Sequence, residues 1–93
     1  MIIGVLTIDL FFPYARSLKD KRRILHGLKE RLKARHNVAV AELDYQDKWQ
    51  RARLGIVTLN SQAAAVGDLL NRILADAQGL EEAEVAGHEI RYL

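Results

Sequence analysis

The basic side chains of residues 16–36 are the first candidates for chemistry in this sequence. The segment holds nine of the chain's fourteen lysines and arginines but two of its twelve acidic residues, so its formal charge is +7 against −5 for the remainder. Such a cluster attracts anions, and cations that neutralise phosphates supply the affinity of nucleic-acid binding. We therefore expect RNA or a ribonucleoprotein as the partner, with phosphate contacts from Arg16, Lys19, Lys21, Arg22, Arg23 and Lys29.

The start of this segment has the features of a helix N-terminus. Ser17 and Asp20 have the spacing of a capping box. Free amides there, together with four cations, would suit a phosphate. The alternative is that Asp20 and the acidic remainder of the chain neutralise the cluster. Lys21 also has an alternative of its own, because it falls within the apolar arc and can extend its ammonium to a carboxylate such as Asp44 or Asp9.

Two aromatic residues, Trp49 and Tyr45, flank a polar turn between two predicted strands. Exposed rings there could stack on a base or anchor a protein partner. The alternative for Trp49 is that it covers the end of the core. An RNA-recognition-motif sheet is not predicted, because residues 4–9 and 53–59 lack the aromatics that stack bases in that fold.

Enzymatic and metal-binding patterns are lacking in this sequence. There is no cysteine, and His26, His36 and His88 are too dispersed to suggest a metal site. Ser17 is explained as a helix cap, and Ser61 has no histidine near it in sequence. The sequence therefore predicts a non-enzymatic protein without cofactor or metal.

The hydropathy pattern predicts one α+β domain over residues 1–93. Apolar residues alternate in strands and recur at helical spacing elsewhere, in the order β-α-β-β-α-β. The crossover rule then favours a ferredoxin-like arrangement, an antiparallel four-stranded sheet with both helices on one face. The predicted strands cover residues 2–12, 38–45, 51–59 and 84–93.

Capping signals place the ends of the two helices. Ser17 is expected to cap the first helix, and Asn37 to end it in a left-handed conformation. Asn60 or Ser61 is expected to cap the second helix, which Gly79 ends.

The second and third strands predict a hairpin centred between Asp47 and Lys48. In that register Asp44 lies opposite Arg51 and Glu42 lies opposite Arg53, which gives one face of paired charges. The other face is then apolar, with Leu43, Ala41 and Ala39 opposite Ala52, Leu54 and Ile56.

The sheet face opposite the helices is predicted to expose more apolar surface than a monomer usually leaves open. Self-association as a symmetric dimer, or the binding of a protein partner, would cover it, and such a protein-interaction module is the alternative to RNA binding. The face could also be a scattered set of surface residues. The residues expected at this interface are Ile3, Val5, Phe11, Val57 and Leu59.

Location follows from what the sequence lacks. No apolar run approaches the roughly 20 residues that span a bilayer. The first residues, MIIGVLTID, have neither the basic region nor the cleavage site of a signal peptide. We therefore expect a cytoplasmic protein that makes no contact with a membrane.

Three segments carry a family resemblance: GVLTIDL, ARSLKDKRRIL and AELDYQDKWQRARLG. They resemble the YlxP-like family of small bacterial proteins of unknown function, with Tyr45 in place of a histidine often found there. The resemblance implies a ferredoxin-like fold. Genes of this family often lie among those for translation initiation and ribosome maturation, which implies an RNA-linked role by association only.

Overall fold

A four-stranded antiparallel sheet, covered on one face by two helices, makes up the computed structural model, which describes residues 1–93. The strands lie in the order β2-β3-β1-β4. This arrangement confirms the predicted ferredoxin-like α+β fold. The elements are β1 (Ile2–Phe11), α1 (Leu18–Arg35), β2 (Ala39–Asp44), β3 (Arg51–Asn60), α2 (Ala63–Gln78) and β4 (Glu84–Tyr92).

The core lies between the sheet and the helices because alternate residues of each strand point to that side. β1 contributes Leu6, Ile8 and Leu10, all at most 2 % exposed. The apolar stripes of both helices cover them at the 3.6-residue period. The other buried contributors are Ala52, Leu54 and Ile56 from β3, Leu25, Leu28 and Leu32 from α1, Val66, Leu70, Ile73, Leu74 and Ala77 from α2, and Phe12, Ala15 and Ala83 from the connecting segments.

Helix α1 begins as predicted. The Ser17 Oγ accepts a hydrogen bond from the Asp20 amide at 3.1 Å. Asp20 in turn accepts one from the Arg16 amide at 2.9 Å. The predicted left-handed stop at Asn37 is wrong, because His36 caps the helix in an extended conformation and Tyr45 is the one non-glycine residue with positive φ.

Helix α2 begins later than predicted. Its N-cap is Gln62, which makes no side-chain capping bond, rather than Asn60 or Ser61. The Asn60 side chain instead accepts a hydrogen bond from the Gln62 amide at 3.1 Å, ahead of the first helical residue. Gly79 ends the helix as predicted, although in a right-handed conformation.

The predicted β2–β3 register is wrong by one residue. Glu42 lies opposite Leu54, and Asp44 lies opposite Arg53, so Leu43 is an extra residue in a β-bulge. Because side chains alternate between faces, this slip moves Leu43 to the outer face and turns Glu42 towards the helices. Gly55 makes room for the displaced leucine, since a Cβ there would lie 2.8 Å from the Leu43 Cδ1.

Neither helix is both long enough and apolar enough to cross a membrane.

Candidate nucleic-acid interface

The basic and the acidic parts of the sequence lie towards opposite edges of the sheet. Helix α1, which carries the basic segment, packs on β2 at one edge of the sheet. Helix α2 packs on β1, β3 and β4, and residues 68–89 contain six acidic residues and one arginine. An anion therefore meets a positive potential at the β2 edge and a negative one at the β4 edge.

Five basic residues of α1 form a continuous stripe, which we call the α1 basic stripe. Their spacing of three and four residues alternately places them within a sector about 80° wide, at about 100° per residue. The stripe extends about 21 Å along the helix, from 14 residues at about 1.5 Å each. It consists of Lys19, Arg22, His26, Lys29 and Lys33, which are exposed apart from the half-buried Lys29.

The opposite flank of α1 faces α2. Arg31 and Arg35 line a groove of about 430 Å³ with Asp76, Glu81 and Glu82. The stripe therefore lies on the side of α1 directed away from the acidic part of the molecule. Arg31 and Arg35 provide a natural comparison, because they are basic residues of the same helix in an acidic setting.

Most stripe residues have no acidic partner. Lys19, Arg22 and Lys29 have no carboxylate within 4 Å, whereas Lys33 pairs with Glu30 of the same helix at 3.4 Å. Arg23, expected among the phosphate contacts, lies outside the stripe and pairs with Glu82 at 3.5 Å. Both pairs are exposed, and such pairs add little stability.

Lys21 is not available as a phosphate contact, contrary to the expectation from the sequence, because it is fully buried and cannot reach a phosphate in solution. Its Nζ donates to the Glu42 Oε2 at 3.1 Å and to three backbone carbonyls at the turn between β2 and β3. The carbonyl oxygens of Tyr45, Arg51 and Gln46 lie at 2.7, 3.1 and 3.5 Å. The alternative, an ammonium extended to a carboxylate, is confirmed, but the carboxylate is Glu42 rather than Asp44 or Asp9.

The predicted phosphate site at the first turn of α1 therefore has fewer groups available to an anion than expected. Lys21 is buried, and the Asp20 amide already donates a hydrogen bond to the Ser17 side chain. Three cations of the original four remain on the surface: Arg16, Lys19 and Arg22. They contribute charge at the start of the stripe rather than an enclosed anion pocket.

The hairpin tip, residues 45–50, separates the two aromatic candidates. Tyr45 is half-buried, and its ring centroid lies 4.1 Å from the Arg51 guanidinium carbon and 5.4 Å from that of Arg53. These cation–π contacts engage the Tyr45 ring, which is therefore not free to stack on a base. Trp49 is 53 % exposed and lies outside the buried core, so it does not cover the end of the core.

Tyr14 is an exposed aromatic that the sequence analysis missed. It is 77 % exposed and lies in the short segment between β1 and α1. The available signal was its position, directly after Pro13 and two residues before Arg16. Attention to predicted loops beside the basic segment would have found it.

The outer face of the sheet, opposite the helices, divides into an apolar and a charged half. The apolar half includes a depression of about 210 Å³. Because of the register shift, this half also contains three side chains that were predicted to face the helices, Ala39, Ala41 and Leu43. Val57 and Leu59 are 38 % and 55 % exposed, and Ile3 and Val5 are half-buried beside them. Phe11, also on this face, lies at the other end of β1, opposite Arg51.

The charged half is centred on Arg53. Its Nε donates to the Asp9 Oδ1 at 2.7 Å, and Asp44 lies 3.8 Å from its Nη1. The hydrogen bond with Asp9, followed by the charge of that carboxylate, raises the pKa of Arg53 above its usual value. Arg53 therefore stays cationic and engaged within the sheet.

Comparisons with known proteins show the family of this chain. A family model described as "Protein of unknown function (DUF503)" matches residues 3–90. The chain belongs to the DUF503 family. It is also similar to the uncharacterized protein YlxP of Bacillus subtilis (strain 168), with 34 % identity over 83 residues, covering 89 % of this chain and 90 % of that protein. The resemblance to the YlxP-like family is thereby confirmed.

Membership of the DUF503 family brings no activity with it, so the functional argument depends on the side chains of this chain. The structure brings together no group of three or more histidine, cysteine, aspartate or glutamate side chains that could hold a metal ion. The surface features that remain are the α1 basic stripe, the exposed rings of Tyr14 and Trp49, and the apolar half of the outer sheet face.

Proposed function

We propose that this protein is a non-enzymatic accessory protein that binds RNA or a ribonucleoprotein through the α1 basic stripe. The observation that carries the proposal is the stripe itself. It is a row of basic residues about 21 Å long, mostly unpaired, on the side of the helix directed away from the acidic residues. Phosphates spaced along a backbone are the chemical match for such a row, and such contacts give affinity rather than sequence choice.

The stripe refines the set of expected contacts. Lys19, Arg22 and Lys29 remain as phosphate-binding candidates, with Arg16 at the start of the row. Lys21 is removed because it is buried, and Arg23 because it lies on another sector and pairs with Glu82.

The test is a fluorescence anisotropy titration of a labelled structured RNA with two triple variants that remove the same charge. Lys19→Gln/Arg22→Gln/Lys29→Gln removes the three lysine and arginine side chains of the stripe that have no acidic partner. Arg31→Gln/Arg35→Gln/Arg72→Gln removes three exposed arginines of α1 and α2 outside the stripe. We expect the first variant to lose binding and the second to retain most of it. Equal losses would indicate a net-charge effect, and absence of binding by the unmodified protein at low salt would refute the proposal.

A second candidate function is self-association through the outer sheet face. It is favoured by the apolar half of that face, where Leu43, Val57 and Leu59 are exposed side by side with half-buried Val5. A closed symmetric dimer would bury this surface. Light scattering of Val57→Asp, compared with Ala64→Asp on the exposed side of α2, tests it. A dimer mass that only Val57→Asp reduces would support self-association, and a monomer mass for the unmodified protein would refute it.

A further inference from the structure

Two aromatic rings stand exposed at one end of the molecule, next to the start of the α1 basic stripe. Tyr14 is 77 % exposed and Trp49 is 53 % exposed. Of the other aromatic residues, Phe12 is buried, Phe11 is 37 % exposed on the outer sheet face, and Tyr45 is covered by arginines. Tyr92 is 54 % exposed but lies at the opposite end of the sheet, on β4 near Gly67 of α2. Tyr14 and Trp49 are the two rings that are more than half exposed at this end of the molecule.

The backbone segments that carry these two rings are hydrogen-bonded to each other. The Phe12 amide donates to the Gln50 carbonyl at 2.9 Å. The Gln50 side-chain amide donates to the carbonyls of Pro13 and Ala15, on either side of Tyr14, at 3.3 and 3.4 Å. Because Trp49 directly precedes Gln50, the same contacts hold the backbone of both residues at one end of the sheet.

Lys21 of α1 also holds the hairpin tip in place. Its buried ammonium binds the carbonyls of Tyr45, Gln46 and Arg51, so both ends of the hairpin tip are tied to α1. A tip held in this way loses little further freedom when a ligand stacks on Trp49, which lowers the entropic cost of binding. The buried lysine thus positions the hairpin tip that carries Trp49 without contacting the ligand.

The charges around the rings favour an anionic ligand. Arg16 lies two residues after Tyr14, and Lys48 directly precedes Trp49, with Asp47 as the acidic residue of the tip. The first residues of the stripe, Lys19 and Arg22, follow in the first turn of α1. A backbone that passes the rings can continue along the stripe with its phosphates next to cations.

An unpaired nucleic-acid strand fits this combination, whereas a duplex does not. The bases of an A-form duplex are stacked on one another and the deep major groove excludes side chains, so two surface rings have no base faces to contact. A single strand offers base faces to aromatic rings and phosphates to a basic row. We propose that Tyr14 and Trp49 form a stacking platform for unpaired bases of single-stranded RNA, whose phosphates follow the α1 basic stripe. This inference rests on the proposed function and specifies its substrate class.

Trp49 is the chain's single tryptophan, so its own fluorescence reports on stacking. The experiment titrates the protein with a single-stranded 12-nucleotide RNA and with the same sequence annealed to its complement. We expect the single strand to quench Trp49 over the same concentration range in which anisotropy shows binding. The duplex should bind more weakly and leave the fluorescence unchanged.

Variants separate stacking from charge. Tyr14→Ala and Trp49→Ala are each expected to weaken single-strand binding by about 5- to 150-fold, the range measured for loss of one stacked base, and to leave duplex binding unchanged. Tyr92→Ala is the control, because that ring is 54 % exposed on β4, away from the stripe. Circular dichroism checks that each variant is folded.

The outcomes distinguish this inference from the proposed function. If RNA binds through the stripe but Trp49 is not quenched and neither aromatic variant weakens binding, the stacking platform is refuted and the RNA-binding function stands. Equal losses on single strand and duplex would also refute the platform. If no RNA binds at low salt, both fail, including the case in which the two rings contact a protein partner instead.

Discussion

Replacing Lys21 with methionine tests how the hairpin tip is held. Methionine keeps much of the apolar stem that packs under the sheet but removes the ammonium. The Glu42 carboxylate, only 18 % exposed, would then lose its partner. The carbonyl oxygens of Tyr45, Gln46 and Arg51 would lose a charged donor at the same time.

The expected loss of stability follows from those four contacts. Removing one partner of a buried ion pair costs about 3–5 kcal/mol, because the remaining charge stays desolvated. A small domain has a free energy of unfolding of about 5–15 kcal/mol. In a domain of this size each kcal/mol lowers the melting temperature by about 4–8 °C, so Lys21→Met should melt at least about 12 °C lower.

The assay is urea unfolding, monitored both by far-ultraviolet circular dichroism and by Trp49 fluorescence. Lys19→Met is the control, since Lys19 is an exposed lysine two residues away whose loss should change stability by no more than about 0.5 kcal/mol. Lys21→Met/Glu42→Met removes the stranded carboxylate and should be more stable than Lys21→Met alone. If Lys21→Met does not fold, Glu42→Gln provides a milder change, with an expected loss of about 1–3 kcal/mol.

Two results would refute this reasoning. One is a loss for Lys21→Met no larger than that for Lys19→Met. The other is simple additivity of the Lys21→Met and Glu42→Met effects in the double variant, since two residues in direct contact should show a coupling energy.

Three further predictions follow from the same structure. Four phosphate contacts, from Lys19, Arg22 and Lys29 of the stripe and from Arg16, give a slope of about −2.8 in log affinity against log salt for single-stranded RNA, or about a 50-fold loss between 50 and 200 mM salt. A slope near zero in an anisotropy titration would contradict the proposed contacts. Gly4→Ala places a Cβ against Val66 and Leu70 and should destabilise the protein by about 1–3 kcal/mol. Gly27→Ala, on open helix surface, should stabilise it by up to about 1 kcal/mol. In thermal melts, an unchanged or higher melting temperature for Gly4→Ala would contradict the first expectation, and a lower one for Gly27→Ala would contradict the second. Ser17→Ala removes the cap of α1 and should cost about 0.5–2 kcal/mol in urea unfolding, and no loss would mean that the Asp20 amide finds another acceptor.

The elements that sequence reasoning predicted well are those with local causes. Ser17 caps α1 because its hydroxyl reaches an amide three residues on, and that contact needs no other part of the chain. The strand positions of β1 and β3 also followed from alternation, which buries Leu6 and Leu54 wherever the sheet is covered on one face. The β-α-β-β-α-β order then left few topologies to consider.

The error in the faces of β2, and with it the unexpected carboxylate partner of Lys21, has one origin. Alternation along β2 offers two registers, and charge pairing between Glu42 and Arg53 favoured the wrong one. The bulge at Leu43 and the left-handed Tyr45 reverse the faces of β2, which turns Glu42 towards Lys21. A bulge depends on how the turn closes across two strands, so the periodicity of one strand does not reveal it.

The sequence by itself determined the fold class and the presence of a basic helix, because hydrophobic period and composition are properties of consecutive residues. It did not determine which cations are available to a ligand. Tertiary structure decided that Lys21 is buried against Glu42 and that Arg23 pairs with Glu82, residues 21 and 59 positions away. It also decided that Tyr14 and Trp49 share one end of the molecule, because contacts between β1, the hairpin tip and α1 join segments about 35 residues apart.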